Sequence, residues 1–175
     1  SDAGASPGAA GAFDAIRSLA HLLRLQVPAR LTLCGDGPEI ESLRELVTSL
    51  GATRAVHFAA PSEEADVRSA ADVELAPALL DSAAPDLAPS VAGGLVPIAY
   101  RTSDVDADDG LDATVVRLQR HDTASLTESM LNAATRREEL ITRMLAGLAR
   151  VRTRTREAAH RRRAQLVQSL APVRR

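Results

Sequence analysis

Apolar positions along the chain follow two patterns, a helical period of about 3.6 residues and short continuous runs. The helical period covers residues 12–26, 38–50 and 136–170, and short helices are expected after Ser62 and within 85–94. The apolar runs predict five buried strands, which are Leu31–Cys34, Ala55–Phe58, Asp72–Ala76, Val96–Tyr100 and Thr114–Leu118. Strands that alternate with helices predict an α/β fold with a doubly wound parallel sheet, followed here by a long C-terminal helix.

Turn and cap residues sharpen several of these boundaries. Pro28 closes the first helix, and Gly51 is a natural C-cap for the helix at 38–50. Pro97 lacks an N–H and therefore limits the hydrogen bonds of its strand. A further helix is expected after Leu118, capped by Asp122 or Thr123, and Ser125 with Glu128, which have the spacing of a capping box, is a second possibility.

The composition excludes several classes of chemistry. Aromatic residues make up 2% of the chain, which leaves little surface for stacking bases and argues against sequence-tolerant binding of single-stranded nucleic acid. No specific nucleic-acid partner is expected. All 21 basic residues are arginines, so no lysine can form a Schiff base or hold a phosphate. Cys34 is the single cysteine, and its position in an apolar run predicts a buried structural thiol. The four histidines are dispersed, and the acidic stretch 104–112 lacks the pattern of a calcium loop, so no metal site is expected.

Charge divides the chain into two unequal parts. Residues 1–135 contain 20 acidic residues and nine arginines, whereas residues 136–175 contain 12 arginines and three glutamates. One interpretation is a solvated basic helix that folds back on an acidic body. The other is a surface for an acidic protein or an anionic membrane. The sequence leaves both open.

The same features suggest a domain organisation. Residues 1–10 are rich in Gly, Ala and Ser and are expected to form a linker, residues 11–135 the α/β domain, and residues 136–175 a basic helical segment. No stretch has the composition of a signal peptide or a membrane span, so we expect a cytoplasmic protein.

Five segments occur in an order that resembles a known family. They are Leu31-Thr32-Leu33-Cys34-Gly35-Asp36-Gly37-Pro38, Ser49-Leu50-Gly51, Val56-His57-Phe58, Ala71-Asp72-Val73-Glu74-Leu75-Ala76-Pro77-Ala78 and Pro89-Ser90-Val91-Ala92-Gly93-Gly94-Leu95-Val96-Pro97-Ile98-Ala99. This order is similar to the C-terminal, donor-binding domain of retaining GT-B glycosyltransferases, the family that includes sucrose synthases and bacterial mannosyltransferases. The resemblance covers roughly residues 10–150. It implies a Rossmann-like domain that binds a nucleotide-sugar as substrate, with no cofactor.

The resemblance also implies a set of site residues. The donor-binding positions would be Gly35, Gly37, Asp86, Leu87, Ser90, Gly93, Gly94 and Arg101. Backbone N–H groups near Asp86–Pro89 would bind a phosphate, and Arg101 would supply positive charge. Of the two glutamates that the family places near the donor, the first falls on Asp81 and the second on Pro89, which leaves Asp81 as the catalytic candidate.

Departures from the family pattern limit the expected activity. The family's Lys-Gly pair falls near Ala10-Gly11, and the arginine expected upstream has no counterpart in residues 1–9. Leaving phosphates need cations or preorganised donors, and a GT-B enzyme needs a second, N-terminal domain. The chain alone is therefore expected to be inactive. The alternative hypothesis is a non-catalytic scaffold that uses its Arg-rich helix for a partner.

Overall fold

The structure is a computed structural model that describes residues 7–76, 87–100, 114–119 and 122–170. Its helices are α1 (Pro7–Arg24), α2 (Ile40–Ser49), α3 (Glu64–Ala70), α4 (Ala88–Ala92), α5 (Thr123–Thr135) and α6 (Arg137–Leu170). Its strands are β1 (Leu31–Cys34), β2 (Val56–Ala59), β3 (Val73–Ala76), β4 (Val96–Tyr100) and β5 (Val116–Leu118). The elements alternate as predicted, and every predicted strand is present within two residues of its expected ends.

Helix α1 differs from its expected range at both ends. It begins at Pro7, so residues 7–10, which the composition assigned to a linker, are helical. Proline is tolerated in the first turn because the N–H that it lacks has no partner there. The helix ends at Arg24, and Gln26 then takes a left-handed conformation with φ of 58° before Pro28. The apolar stripe therefore predicted the position of α1 along the chain, whereas the residue at which the helix ends is set by the turn at Gln26.

All strand pairs are parallel, but they form two separate sheets. Strand β1 pairs with β2, and the second sheet has the order β3-β4-β5. Pro97 lies in the central strand β4. The Val96 N–H donates to the carbonyl of Asp72, the residue directly before β3. Because successive residues of a strand point their N–H groups to opposite sides, the position of the N–H that Pro97 lacks faces β5. Pairing with β5 begins only at Ile98, and proline is therefore tolerated in a central strand.

Helices cover the three-stranded sheet on both faces. On one face, Ile98 and Tyr100 pack with Leu118 and with Leu126 of α5, beside Ala10 of α1. On the other face, Ala99 packs with α4 and with Val151 of α6. Residues alternate between the faces because successive strand side chains point in opposite directions. The predicted doubly wound arrangement is confirmed for this sheet.

Helix α6 docks on this second face through a glycine. A Cβ atom on Gly147 would lie 2.6 Å from side-chain atoms of both Thr114 and Val91, so only glycine permits this approach. Beyond Val151, the described side chains of α6 are exposed. The helix therefore packs by its first half, as its apolar stripe predicts.

Candidate functional site at the carboxyl edge of the sheet

Ligands of parallel α/β sheets bind outside the carboxyl ends of the strands. At this edge β1 ends at Cys34 and turns through Gly35 to Pro38 before α2 begins. Gly35 has φ of 153°, which residues with a Cβ rarely adopt, and its N–H donates to the Ala59 carbonyl at 3.2 Å. Gly37 is exposed, and its carbonyl accepts from the Ile40 N–H at 3.2 Å. The predicted pair Gly35 and Gly37 thus forms a tight, accessible turn at the edge where ligands bind.

Unlike the Gly35 turn, the predicted positions at the start of α4 have buried side chains. Leu87 and Ser90 are buried, and Leu87 packs with Val91, Ala99 and Val115 in the core. Only backbone groups of this segment could therefore face a ligand. Helix α4 has five residues, and Pro89 removes one N–H from its first turn. Its capacity to bind a phosphate through N–H groups is correspondingly small.

Gly93 and Gly94 lie at the opposite edge of the sheet. They follow the C-terminus of α4, where the Gly93 N–H donates to the Pro89 carbonyl and Gly94 takes φ of 86°. Strand β4 begins two residues later, at its amino end. The structure does not bring these glycines together with Gly35 and Gly37. Gly93 and Gly94 form the turn between α4 and β4, and this turn explains why glycines stand at these positions.

Three predicted site residues, Asp81, Asp86 and Arg101, lie outside the described residues. By sequence, Asp81 and Asp86 belong to the segment that follows the carboxyl end of β3. Arg101 comes directly after Tyr100, the last residue of β4.

A polar cluster that the sequence analysis missed lies at the carboxyl end of β4. The Tyr100 hydroxyl donates to Asp14 Oδ2 at 3.3 Å, and the Thr123 hydroxyl donates to Asp14 Oδ1 at 3.1 Å. One turn further along both helices, the Thr127 hydroxyl donates to the Ser18 hydroxyl at 2.9 Å. The sequence signal that could have predicted this cluster is a pair of polar residues four positions apart on each helix, Asp14 and Ser18 on α1 and Thr123 and Thr127 on α5.

This cluster is buried, and its Asp14 carboxylate lies next to the Arg17 guanidinium. Asp14 and Tyr100 are both buried, and Arg17 lies 3.5 Å from Asp14. Burial, and then the Asp14 carboxylate, raise the pKa of Tyr100 well above its usual value. The phenol therefore stays protonated and donates a hydrogen bond. The hydrogen bond to Asp14 thus fixes the side chain of Tyr100, the residue directly before Arg101.

The prediction of a buried Cys34 is wrong. The thiol is exposed, because no hydrophobic cluster of the described residues covers that face of β1. Partial burial and the nearby Glu64 and Glu63 raise its pKa, which opposes thiolate formation. Cys34 is therefore not an activated nucleophile. Among the described residues, no group of three His, Cys, Asp or Glu could hold a metal ion.

The arginines of α6 fall into two groups. Near its start, Arg143 lies 3.3 Å from Glu139, and Arg136, the residue directly before the helix, lies 3.7 Å from the same side chain. Further along, Arg150, Arg152 and Arg156 are exposed and make no ion pair with the described residues. No described helix is both long and apolar enough to cross a membrane.

Comparison with known proteins identifies the fold. No protein-family model matches the sequence, and no curated protein matches it. Among solved structures, 30 chains are similar. One is WaaG, a glycosyltransferase involved in lipopolysaccharide biosynthesis, with a TM-score of 0.69 and 22% identity over 80% of this chain and 38% of WaaG.

A second similar structure is sucrose-phosphate synthase from Thermosynechococcus elongatus. Its TM-score is 0.67 and its identity 20%, over 91% of this chain and 42% of the synthase. The chain thus spans about two fifths of the length of these proteins. The likeness confirms the predicted fold class, a Rossmann-like α/β fold shared with GT-B glycosyltransferases.

Proposed function

We propose that this chain is the nucleotide-sugar-binding domain of a divergent glycosyltransferase. The observation that carries the proposal is the structural match of 80% of the chain to a glycosyltransferase and of 91% to a sucrose-phosphate synthase, over about two fifths of each of those proteins. The Gly35–Gly37 turn at the carboxyl edge supports it, because a turn without side chains lets a ligand approach the backbone. A second domain would close the site, so the chain alone does not turn over.

The ligand would lie between the Gly35 turn and the segment that joins β3 to α4. Asp81 would contact the sugar, and Arg101 would offset the charge of the phosphates. Arg101 is suited to this role because its neighbour Tyr100 is held by Asp14. An arginine also binds phosphate oxygens in a bidentate manner, which compensates for the absence of lysine.

A thermal-shift and calorimetric screen against UDP-, GDP-, ADP- and TDP-sugars tests this function. A ligand at a hundred times its dissociation constant stabilises the native state by about 2.7 kcal/mol, which is readily detected. Asp81→Ala and Arg101→Gln should weaken binding of the ligand that is found. Glu45→Ala, an exposed acidic position on α2, is the matched control and should not change it. A folded protein that binds none of these sugars would contradict the proposal.

A second candidate function is a non-catalytic scaffold that binds an anionic membrane through α6. Arg150, Arg152 and Arg156 support it, because exposed arginines without ion pairs retain their full charge for a partner. Vesicles with phosphatidylserine should bind the protein at low salt, and replacing these three arginines by glutamate should abolish binding. Helix content by circular dichroism controls for folding, and equal binding to neutral vesicles would exclude this function.

A further inference from the structure

Helix α6 carries two large apolar side chains that the fold leaves exposed. Ile141 is 41% exposed and Leu145 is 56% exposed, and they lie one turn apart on the helix. Leu145 lies two residues before Gly147, about 200° around the helix, so it points away from the sheet on which Gly147 docks. Neither side chain belongs to a hydrophobic cluster of the described residues. The first half of α6 therefore has a docked face and an outward apolar face.

Charged residues stand at both ends of this outward face. Glu138, Ile141, Leu145, Ala149 and Arg152 recur at spacings of three and four residues, so they form one line along the helix. All five are exposed. We refer to them as the α6 stripe. It begins with an acid, is apolar in the middle and ends with a base.

The two charges at the ends of the stripe have no opposite charge within reach on their own helix. No residue three or four positions from Glu138 or from Arg152 carries the opposite charge. Neither makes an ion pair with the described residues. Glu139 differs from Glu138 in this respect, because Arg143 and Arg136 lie beside it. The charges of Glu138 and Arg152 are therefore available to another molecule.

The stripe is complementary to its own reversed copy. Glu138 and Arg152 each lie seven residues from Leu145, in opposite directions along the chain. A second α6 that crosses antiparallel at Leu145 therefore brings Glu138 opposite the partner's Arg152. Ile141 meets the partner's Ala149 in the same way, and a large side chain against a small one suits close helix packing. A parallel pair would place like charges opposite each other, which is unfavourable.

We propose that the α6 stripe is the contact surface of a homodimer, in which the α6 helices of two chains pack antiparallel across a two-fold axis at Leu145. Such an interface is isologous, because both chains contribute the same surface. Its two ion pairs between Glu138 and Arg152 fix the direction of the helices, and its apolar middle supplies most of the affinity. The surface is small, so the dimer forms at high protein concentration and dissociates on dilution.

An anionic membrane fits this stripe less well than a second copy does. Anionic headgroups would repel Glu138, and helices that lie on such membranes carry Lys and Arg along their polar face. The acid at one end and the base at the other instead favour a protein surface with the reversed charges. Arg150 lies about 200° around the helix from Arg152, outside the stripe, so the two arginines separate the two kinds of partner in an experiment.

Sedimentation velocity of the purified chain over a range of concentrations tests the interface. The wild-type chain should show a reversible monomer–dimer equilibrium. Leu145→Asp places two carboxylates at the two-fold axis and should weaken the dimer at least tenfold. Ala146→Asp introduces the same charge at the next exposed position, outside the stripe, and is the matched control that should not weaken it. Circular dichroism checks that both variants remain folded.

Charge reversal tests the antiparallel arrangement. Glu138→Arg and Arg152→Glu should each weaken the dimer about tenfold, because each replaces two ion pairs by two repulsions. An equimolar mixture of these two variants should recover association, and so should a chain that carries both changes. Arg150→Glu makes the same charge change outside the stripe and should leave the dimer intact.

Three results would overturn the proposal. One is a wild-type chain that stays monomeric up to about 1 mM. Another is equal dimerisation of Leu145→Asp and Ala146→Asp, or failure of the two charge variants to recover association together. The third is a monomeric chain that binds phosphatidylserine vesicles and loses this binding with Leu145→Asp but not with Ala146→Asp, which would assign the stripe to a lipid surface. None of these results depends on nucleotide-sugar binding.

Discussion

The two sheets of this protein differ in how completely helices cover them. The β3-β4-β5 sheet has α1 and α5 on one face and α4 and α6 on the other, and every residue of β4 is buried. In β1 only Leu31 is buried, and Cys34 of β1 and His57 of β2 are exposed on the other face. The Gly35 turn therefore extends from the less covered half of the molecule. We infer that the three-stranded sheet supplies most of the stability, while the two-stranded sheet carries the accessible turn.

Truncating one apolar side chain in each sheet should give the largest effect and measures the difference directly. Ile98→Ala in β4 removes a buried side chain and should cost about 2–5 kcal/mol of unfolding free energy. Leu33→Ala in β1 removes a partly buried one and should cost clearly less. Urea denaturation of both variants checks the ratio, and equal losses would contradict the difference in coverage.

Gly147→Ala tests the docking of α6 on the three-stranded sheet. The added methyl group would approach Thr114 and Val91 to 2.6 Å, and overpacking of this kind costs about 1–3 kcal/mol. Helix propensity alone would make the change stabilising, so the two explanations predict opposite signs. The unfolding midpoint decides between them, with Ala146→Ser on the exposed side as the control.

Tyr100→Phe should destabilise the protein by about 1–3 kcal/mol near pH 7, because it removes a donor from the buried Asp14. The pH dependence sharpens this prediction. Since the pKa of Tyr100 is raised by folding, its contribution is complete below about pH 10 and falls as the pH rises, because the unfolded chain loses the proton first.

Because the chain contains no lysine, a loss of stability at alkaline pH can be assigned to Tyr100 more easily than in most proteins. With Cys34 replaced by serine, Tyr100 is the remaining side chain that titrates between about pH 9 and 12 in the unfolded chain. The free energy of unfolding should decline above pH 10 in that background. The same decline in the Tyr100→Phe variant would show that another process causes it.

Asp122→Ala should have the smallest effect. The Asp122 side chain caps α5 by accepting from the Ser125 N–H at 2.9 Å, and it also accepts from the Ser125 hydroxyl. The hydroxyl first, and then the N–H, lower the pKa of Asp122. Stability from the cap is therefore present at neutral pH and is lost as acid protonates the carboxylate. Thermal unfolding should show a lower midpoint for the variant at pH 7 and a smaller difference near pH 3. Asp122→Asn should retain part of the cap.

Much of the candidate site could not be read from the pattern of residues. The glycine turn at Gly35 and Gly37 was predictable, because a turn after a strand is a local feature. The positions of Leu87, Ser90, Gly93 and Gly94 depended on where α4 lies against the sheet. The pairing of Asp14 with Tyr100 joins residues 86 positions apart, and no local signal specifies such a contact.

The sequence by itself determined the local elements of this protein and the parallel α/β class, because hydrophobic period, glycine and proline act within a few residues. It also determined the absence of lysine chemistry. Only the tertiary structure decided that the sheet is divided between β1 and β3, that Cys34 is exposed and that Gly147 is the contact point of α6. These features depend on contacts between segments that are distant in the sequence, and such contacts are determined by how whole helices pack against the sheets.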